Sequence, residues 1–300
     1  MMTSKKEMKE FERLHPLALM LCFADILLIS MFVMNPFISL ISLAGAVFLC
    51  LYYHGLRQTV KKMSVYFFII VLAVLTNPLF SHNGVTALFY VNGNAITLES
   101  LYYGLGMGLM LVSVLAWCSI MSEIFTGEKI LYLIGKAFPQ LALVLSIALR
   151  FIPLFIREMK KIRDTQICLG AYENKGTLGK LERELEVFKS LAGQSIEKSI
   201  DTAASMNARG YGIRKRTAYS DYSFTKRDFF FLTLNFCAIF FTFIGIYLGR
   251  ADFYYYPAVF YREPDIITAL MGIAFMLACF EPLLLEIGEN IRWKLLIQKI

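Results

Sequence analysis

No GxxxxGK[ST] sequence occurs anywhere in the chain, so it lacks the phosphate loop of a nucleotide-hydrolysing domain. No CxxC pair occurs either. The six cysteines, Cys22, Cys50, Cys118, Cys168, Cys237 and Cys279, are scattered and read as small apolar packing residues, not as disulfides or metal ligands. The three histidines, His15, His54 and His82, lie far apart with no ligand spacing, which argues against a metal centre. No Ser/His/Asp or paired-carboxylate constellation falls on facing positions, so an enzyme is disfavoured and no cofactor is expected. Charge is scarce, at 18% of residues, and neither internal repeats nor low-complexity segments are evident.

Apolar residues are plentiful instead. They make up 57% of the 300 residues, with a mean hydropathy of +0.58, more than a soluble domain of this length needs. Several runs approach the roughly 20 apolar residues that cross a bilayer core. The reading is a polytopic, all-α membrane protein. The opening MMTSKKEMKEFERLHP is charged and shows no cleavage site of small residues, so it is not expected to be a signal peptide. Spans are expected at 17–34 and 37–54, split at Asn35-Pro36, then at 64–79, ending at Asn77-Pro78, and at 101–123, 229–248 and 266–285. Residues 80–100 read as a loop, and 124–138 as an amphipathic surface segment.

Basic residues set the topology. The net charge is +7, and the segment 157–227 alone holds 15 of the 30 Lys and Arg. The two candidate outside loops, 80–100 and 249–265, hold only Arg250 and Arg262. Six spans place every basic-rich piece on one side, which fits the positive-inside tendency. A seventh span at 139–156 would move the 157–227 block outside. That run, which carries Arg150 and Pro153, is therefore expected to enter or lie along the cytoplasmic face without crossing. Both termini are expected to be cytoplasmic. The domain expectation is a four-span region at 1–138, a cytoplasmic region at 139–227 and a two-span region with a basic tail at 228–300. Because the basic residues flank apolar spans, they point to anionic lipid or an acidic partner and not to nucleic acid.

Within the cytoplasmic block, Leu181, Leu185, Phe188, Ala192, Ile196, Ile200 and Ala203 recur in steps of three and four, and charged residues fill the positions between. A helix of ~28 residues there would reach about 42 Å. Its apolar face either packs on the chain's own membrane region or docks on a partner. Gly210 suits the position just past a helix end, and Arg209 suits the negative end of the helix dipole. A planar guanidinium at a helix tip also suits a groove that holds carboxylates or carbonyls.

The stretch SIDTAASMNARGYG resembles the Ala-Arg-Gly signature of the transmembrane T component of energy-coupling factor (ECF) transporters, the family that includes the cobalt-transport permease. RLHPLALM, MNPF, NPLFSHNGVTALFYVNGNAITLESLYYGL and ALRFIPLFIREMKKIRDTQ are similar to further pieces of that family, in order, over residues 11–250. The resemblance implies two long cytoplasmic coupling helices beside about six transmembrane helices. It also implies a non-catalytic subunit in the cell membrane that joins two cytoplasmic ABC ATPases to a small substrate-binding membrane subunit for vitamin or metal-ion uptake. By the same resemblance, Ala208, Arg209 and Gly210 form one ATPase-coupling motif. The other falls on Cys168-Leu169-Gly170, with Leu169 where the family has arginine. Arg163 and Lys175 are candidate substitutes for the missing charge.

Three further positions stand out. Asp25 lies inside the first span, where an ionisable group is costly unless paired or hydrated, so it is either a functional polar site or a structural hydrogen-bonding group. Gly104 and Gly108 form a Gly-xxx-Gly pair that packs either inside the chain or against a membrane partner. Glu281, beside Pro282, reads as structural. The competing reading of the whole is a stand-alone channel or secondary carrier, which the shortage of polar residues in the spans disfavours.

Overall fold

The computed structural model describes residues 11–81, 84–91, 94–170, 176–213, 222–261 and 265–297. Among them the chain forms nine helices: α1 (Pro16–Phe32), α2 (Pro36–His54), α3 (Leu56–Phe80), α4 (Leu98–Ile124), α5 (Gly127–Ala137), α6 (Pro139–Cys168), α7 (Thr177–Ala208), α8 (Lys226–Tyr247) and α9 (Ile266–Ile297). Two small antiparallel hairpins complete it, β1 (Ala87–Val91) with β2 (Asn94–Thr97), and β3 (Phe253–Tyr254) with β4 (Phe260–Tyr261). The protein is an all-α polytopic membrane protein. It divides into two units: residues 1–126 with 222–300, and residues 127–221. Helix α5 thus groups with α6 and α7.

Local chemistry sets the helix starts. His15 and Asn35 each accept a backbone N–H two residues on (Leu17 and Phe37), and Pro16 and Pro36 follow at the first helical positions, where a missing N–H costs nothing. Thr225 and Asp228 exchange side-chain-to-backbone bonds in a complete capping box at the start of α8. Two boundaries differ from expectation. The basic stretch after α2 is not a separate link: only Gly55 turns the chain, and Arg57, Lys61 and Lys62 lie in the first turns of α3. At the other end α3 runs through Pro78 to Phe80, because a proline in the last turn removes only one terminal helical bond. The region expected as a loop at 80–100 contains the β1–β2 hairpin and the first turn of α4.

Six of the helices are long and apolar enough to cross a membrane: α2, α3, α4, α6, α8 and α9. The number is the expected one, but the set is not. Helix α1 has 17 residues, about 26 Å at 1.5 Å per residue, which is short of a bilayer core. Helix α6 is continuous over 30 residues through Pro153 and qualifies by length and composition. Its apolar first half carries the hydropathy, and its basic second half was what had argued against a span.

The core of the larger unit joins α1, α2 and α4 to α8 and α9, with Tyr66 of α3 packed against it. Phe11, Phe23, Trp117, Phe231 and Phe275 are fully buried, and Phe23 meets Trp117 edge-on at 5.9 Å. The Trp117 indole N–H donates to Ser42, whose hydroxyl pairs with that of Ser30 at 2.6 Å, so these three buried side chains satisfy one another. Close backbone approach does the rest. A Cβ on Gly104 would lie 2.9 Å from the Ala73 carbonyl, and one on Gly108 would lie 3.2 Å from Ile70 Cα. Both glycines therefore face α3 of the same chain. Packing against a separate membrane partner is corrected to internal α3–α4 packing, because the groove they open is already filled.

Two long-range contacts tie the chain's start to its end. The Phe11 amide donates to Glu286 at 3.0 Å, and the His15 amide donates to Asp228 at 2.8 Å. The same Asp228 accepts from the Thr225 hydroxyl and amide at 2.6 and 2.7 Å.

Candidate coupling-helix ends

The smaller unit presents two long helices that end in the same way. In α7, the Arg209 amide donates to Ser205 at 3.1 Å, the Gly210 amide to Asn207 at 2.9 Å, and the Tyr211 amide to Met206 at 3.0 Å. The last two are the paired bonds of a Schellman cap, which needs a residue in the left-handed region just past the helix. Gly210 supplies it, with φ +75°. At the end of α6 the Leu169 amide donates to Thr165 and the Gly170 amide to Ile167, both at 3.1 Å, and Gly170 also has φ +75°. Leu169 and Arg209 have nearly identical backbones, φ/ψ of −82°/5° and −80°/4°. The two tips are thus one backbone shape carrying different side chains.

Both tips are open. Leu169 is 78% exposed, a large cost in water for a leucine that has many buried positions available elsewhere. Arg209 is also exposed, as are Cys168 and Ala208. Arg163 does not lie at the tip of α6. It is 6 residues before Leu169, and its Nη2 pairs with Glu184 of α7 at 2.6 Å. Lys175 lies outside the described residues, as does His82.

Helix α7 runs against α6. The Arg163–Glu184 pair and a second pair, Lys198 to Glu158 at 3.1 Å, bridge them. The buried residues of α7 are Gly179, Arg183, Val187 and Leu191, spaced four apart, among the described residues. The apolar stripe identified by periodicity is a different face: Leu181, Leu185, Phe188, Ile196 and Ile200 are 58–65% exposed. Spacing alone located the stripe; it carried no information about which face the chain itself would cover.

Asp25 is half-buried on α1 and makes no hydrogen bond or ion pair among the described residues. Of the two anchors, Asp228 belongs to the Thr-Lys-Arg-Asp stretch that reads locally as a helix start, whereas the sequence did not flag Glu286, whose partner lies at the other end of the chain. Among the described residues no group of three or more His, Cys, Asp or Glu could hold a metal ion.

A membrane unit of apolar helices, joined to a second unit that offers two matched helix tips, defines a polytopic membrane component of a transport type. The chain belongs to the cobalt transport protein family, CbiQ, whose profile matches residues 8–219. Among curated relatives it is similar to energy-coupling factor transporter transmembrane proteins EcfT. Identity is 38% over 91 residues with that of Lactobacillus helveticus, covering 30% of this chain and 33% of the relative. With the protein of Leuconostoc gelidum subsp. gasicomitatum it is 27% over 205 residues, covering 64% and 74%. With that of Staphylococcus aureus it is 27% over 187 residues, covering 58% and 69%. The most identical stretches therefore span about a third of the relatives' length, while the longer, more divergent alignments span most of it.

Proposed function

We propose that this chain is the transmembrane energy-coupling subunit of an ECF-type ABC importer. It would be a non-catalytic, multi-pass protein of the cell membrane with both termini cytoplasmic. Its partners are two cytoplasmic ABC ATPases and a small substrate-binding membrane subunit that takes up a vitamin or metal ion. The regions 1–138 and 228–300 form the membrane part, and 139–227 the coupling part. The observation that carries this reading is the pair of equivalent, exposed helix tips in a chain of the cobalt transport family.

The mechanism follows from the tips. Closure of an ATPase dimer on ATP displaces whatever grips the ends of α6 and α7. A Schellman cap fixes the last turn rigidly, so Arg209 moves as part of α7 and not as a loose side chain on a loop. Its guanidinium docks on carboxylates or carbonyls of one ATPase. Ala208 leaves room for close approach, and Gly210 turns the chain away. Leu169 and Gly170 form the second contact, in which an apolar side chain replaces the charge. The exposed stripe of α7 transmits the displacement to the substrate-binding subunit. Asp25 remains in this reading as an intramembrane polar position.

The test is co-purification of the ATPases with the wild-type chain and with Arg209→Glu, alongside a check of membrane insertion. Loss of the ATPases from an inserted Arg209→Glu variant is the expected result. A variant that retains both ATPases and uptake overturns the role given to Arg209.

A further inference from the structure

Helix α9 carries Glu281 near its middle, immediately before Pro282. The residue is 4% exposed, and neither carboxyl oxygen reaches a hydrogen-bond partner among the described residues. The groups that face it are few. Helix α1 brings Cys22, which also has Asp25 and Cys279 for neighbours. Helix α8 brings Asn235, whose neutral amide is directed at the Glu281 carboxyl beyond ordinary hydrogen-bond geometry and donates to Cys22 Sγ at 3.6 Å. Helix α2 approaches through Gly45, where a Cβ would lie 2.9 Å from that of Cys279. None of these groups is cationic. A carboxylate in such surroundings would be a bare charge in an apolar core, which is far costlier than a neutral acid.

A second observation lies one turn back. Pro282 has no N–H, so the carbonyl of Ala278 loses the donor that an uninterrupted helix would give it. Ala278 is fully buried, and a buried carbonyl without a donor is itself unfavourable. A carboxylate only accepts hydrogen bonds, whereas a carboxylic acid also donates one. An acid that needs to be neutral and a carbonyl that needs a donor thus sit within one helical turn.

We propose that Glu281 is a proton-binding site in the core between α1, α8 and α9. In the folded protein it holds a proton as a neutral carboxylic acid, within one helical turn of the backbone carbonyl that Pro282 leaves without its helical donor. No covalent change is involved; the ligand is a proton, taken up from water as the core closes. Removing it at high pH would leave a charge without a partner and loosen the packing of the three helices.

Infrared spectroscopy of the full-length chain in lipid bilayers tests this. At pH 7 the wild type should show the C=O band of a protonated carboxyl that shifts in D2O and on labelling with 13C-glutamate. The band should be missing from Glu281→Gln and present in Asp25→Asn. A wild-type spectrum without a protonated-carboxyl band overturns the proposal without any variant. So does a band that moves with 13C-aspartate or survives in Glu281→Gln. The thermal midpoint should fall between pH 6 and pH 9 in the wild type and stay flatter in Glu281→Gln. Equal slopes would count against a proton at this site.

Discussion

The ends of α6 and α7 have the same backbone and opposite chemistry. Each closes on a glycine at φ +75°, each bonds back to the last turn over the same spacing, and each projects the preceding residue from the same φ/ψ. One projects leucine and the other arginine. The cap is therefore independent of the side chain it displays. Glycine and main-chain bonds fix the shape, and the displayed residue is free to vary with the surface it meets. A charge lost from one tip need not mean a tip lost from the mechanism.

The comparison can be broken most severely at Arg209. Arg209→Glu is expected to weaken ATPase association by about 2–5 kcal/mol, the range for disrupting a desolvated charge pair, and so to abolish recovery of the ATPases in a pull-down. Leu169→Glu at the equivalent place should cost association by excluding an apolar contact. Its effect should hardly change with salt, whereas binding through Arg209 should weaken as salt rises. Measuring recovery at low and high ionic strength separates the two tips.

Next in size are the glycines. Gly210→Ala forces a Cβ into the left-handed region, costing about 1–2 kcal/mol, and brings it 3.3 Å from Ile213 Cδ1. Gly170→Ala incurs the same backbone strain but meets nothing within 4 Å among the described residues. Thermal unfolding should therefore show Gly210→Ala as the more destabilising of the two. Smallest is Glu184→Gln, which breaks an ion pair whose two side chains are 42% and 48% exposed. Its expected cost is about 0–1 kcal/mol, visible only as a slight fall in the melting temperature.

Much of this arrangement was legible from sequence because it is local. Asn35-Pro36 marks the α1–α2 break, Thr225 to Asp228 marks the start of α8, and Arg209-Gly210 marks the end of α7; each works through hydrogen bonds within a few residues. What escaped depends on partners far away in the chain. Periodicity found the apolar stripe of α7, but burial fell on Arg183, Val187 and Leu191, because α6 packs beside that face. The Gly104 and Gly108 pair signalled close packing correctly, but nothing local could say that α3 would fill the space. The β1–β2 hairpin was hidden by its glycine and asparagine content, which reads equally as loop, and the β3–β4 hairpin by strands of only two residues each. Charge counting over 157–227 set α6 aside as a non-spanning segment, although its most apolar window matches those of α2 and α4 in hydropathy.

The bond from Phe11 to Glu286 joins residues 275 positions apart, with the whole of the smaller unit threaded between them. A ribosome must therefore deliver nearly the entire chain before its first buried aromatic finds its anchor. Helices α1 to α4 emerge early and wait, and the bundle closes only when α9 arrives. A truncated product could insert and even expose a finished α7, yet its membrane part would still be open where Glu286 should be. Completion of the scaffold thus comes after completion of the lever, and quality control could recognise an unfinished molecule by that open seam.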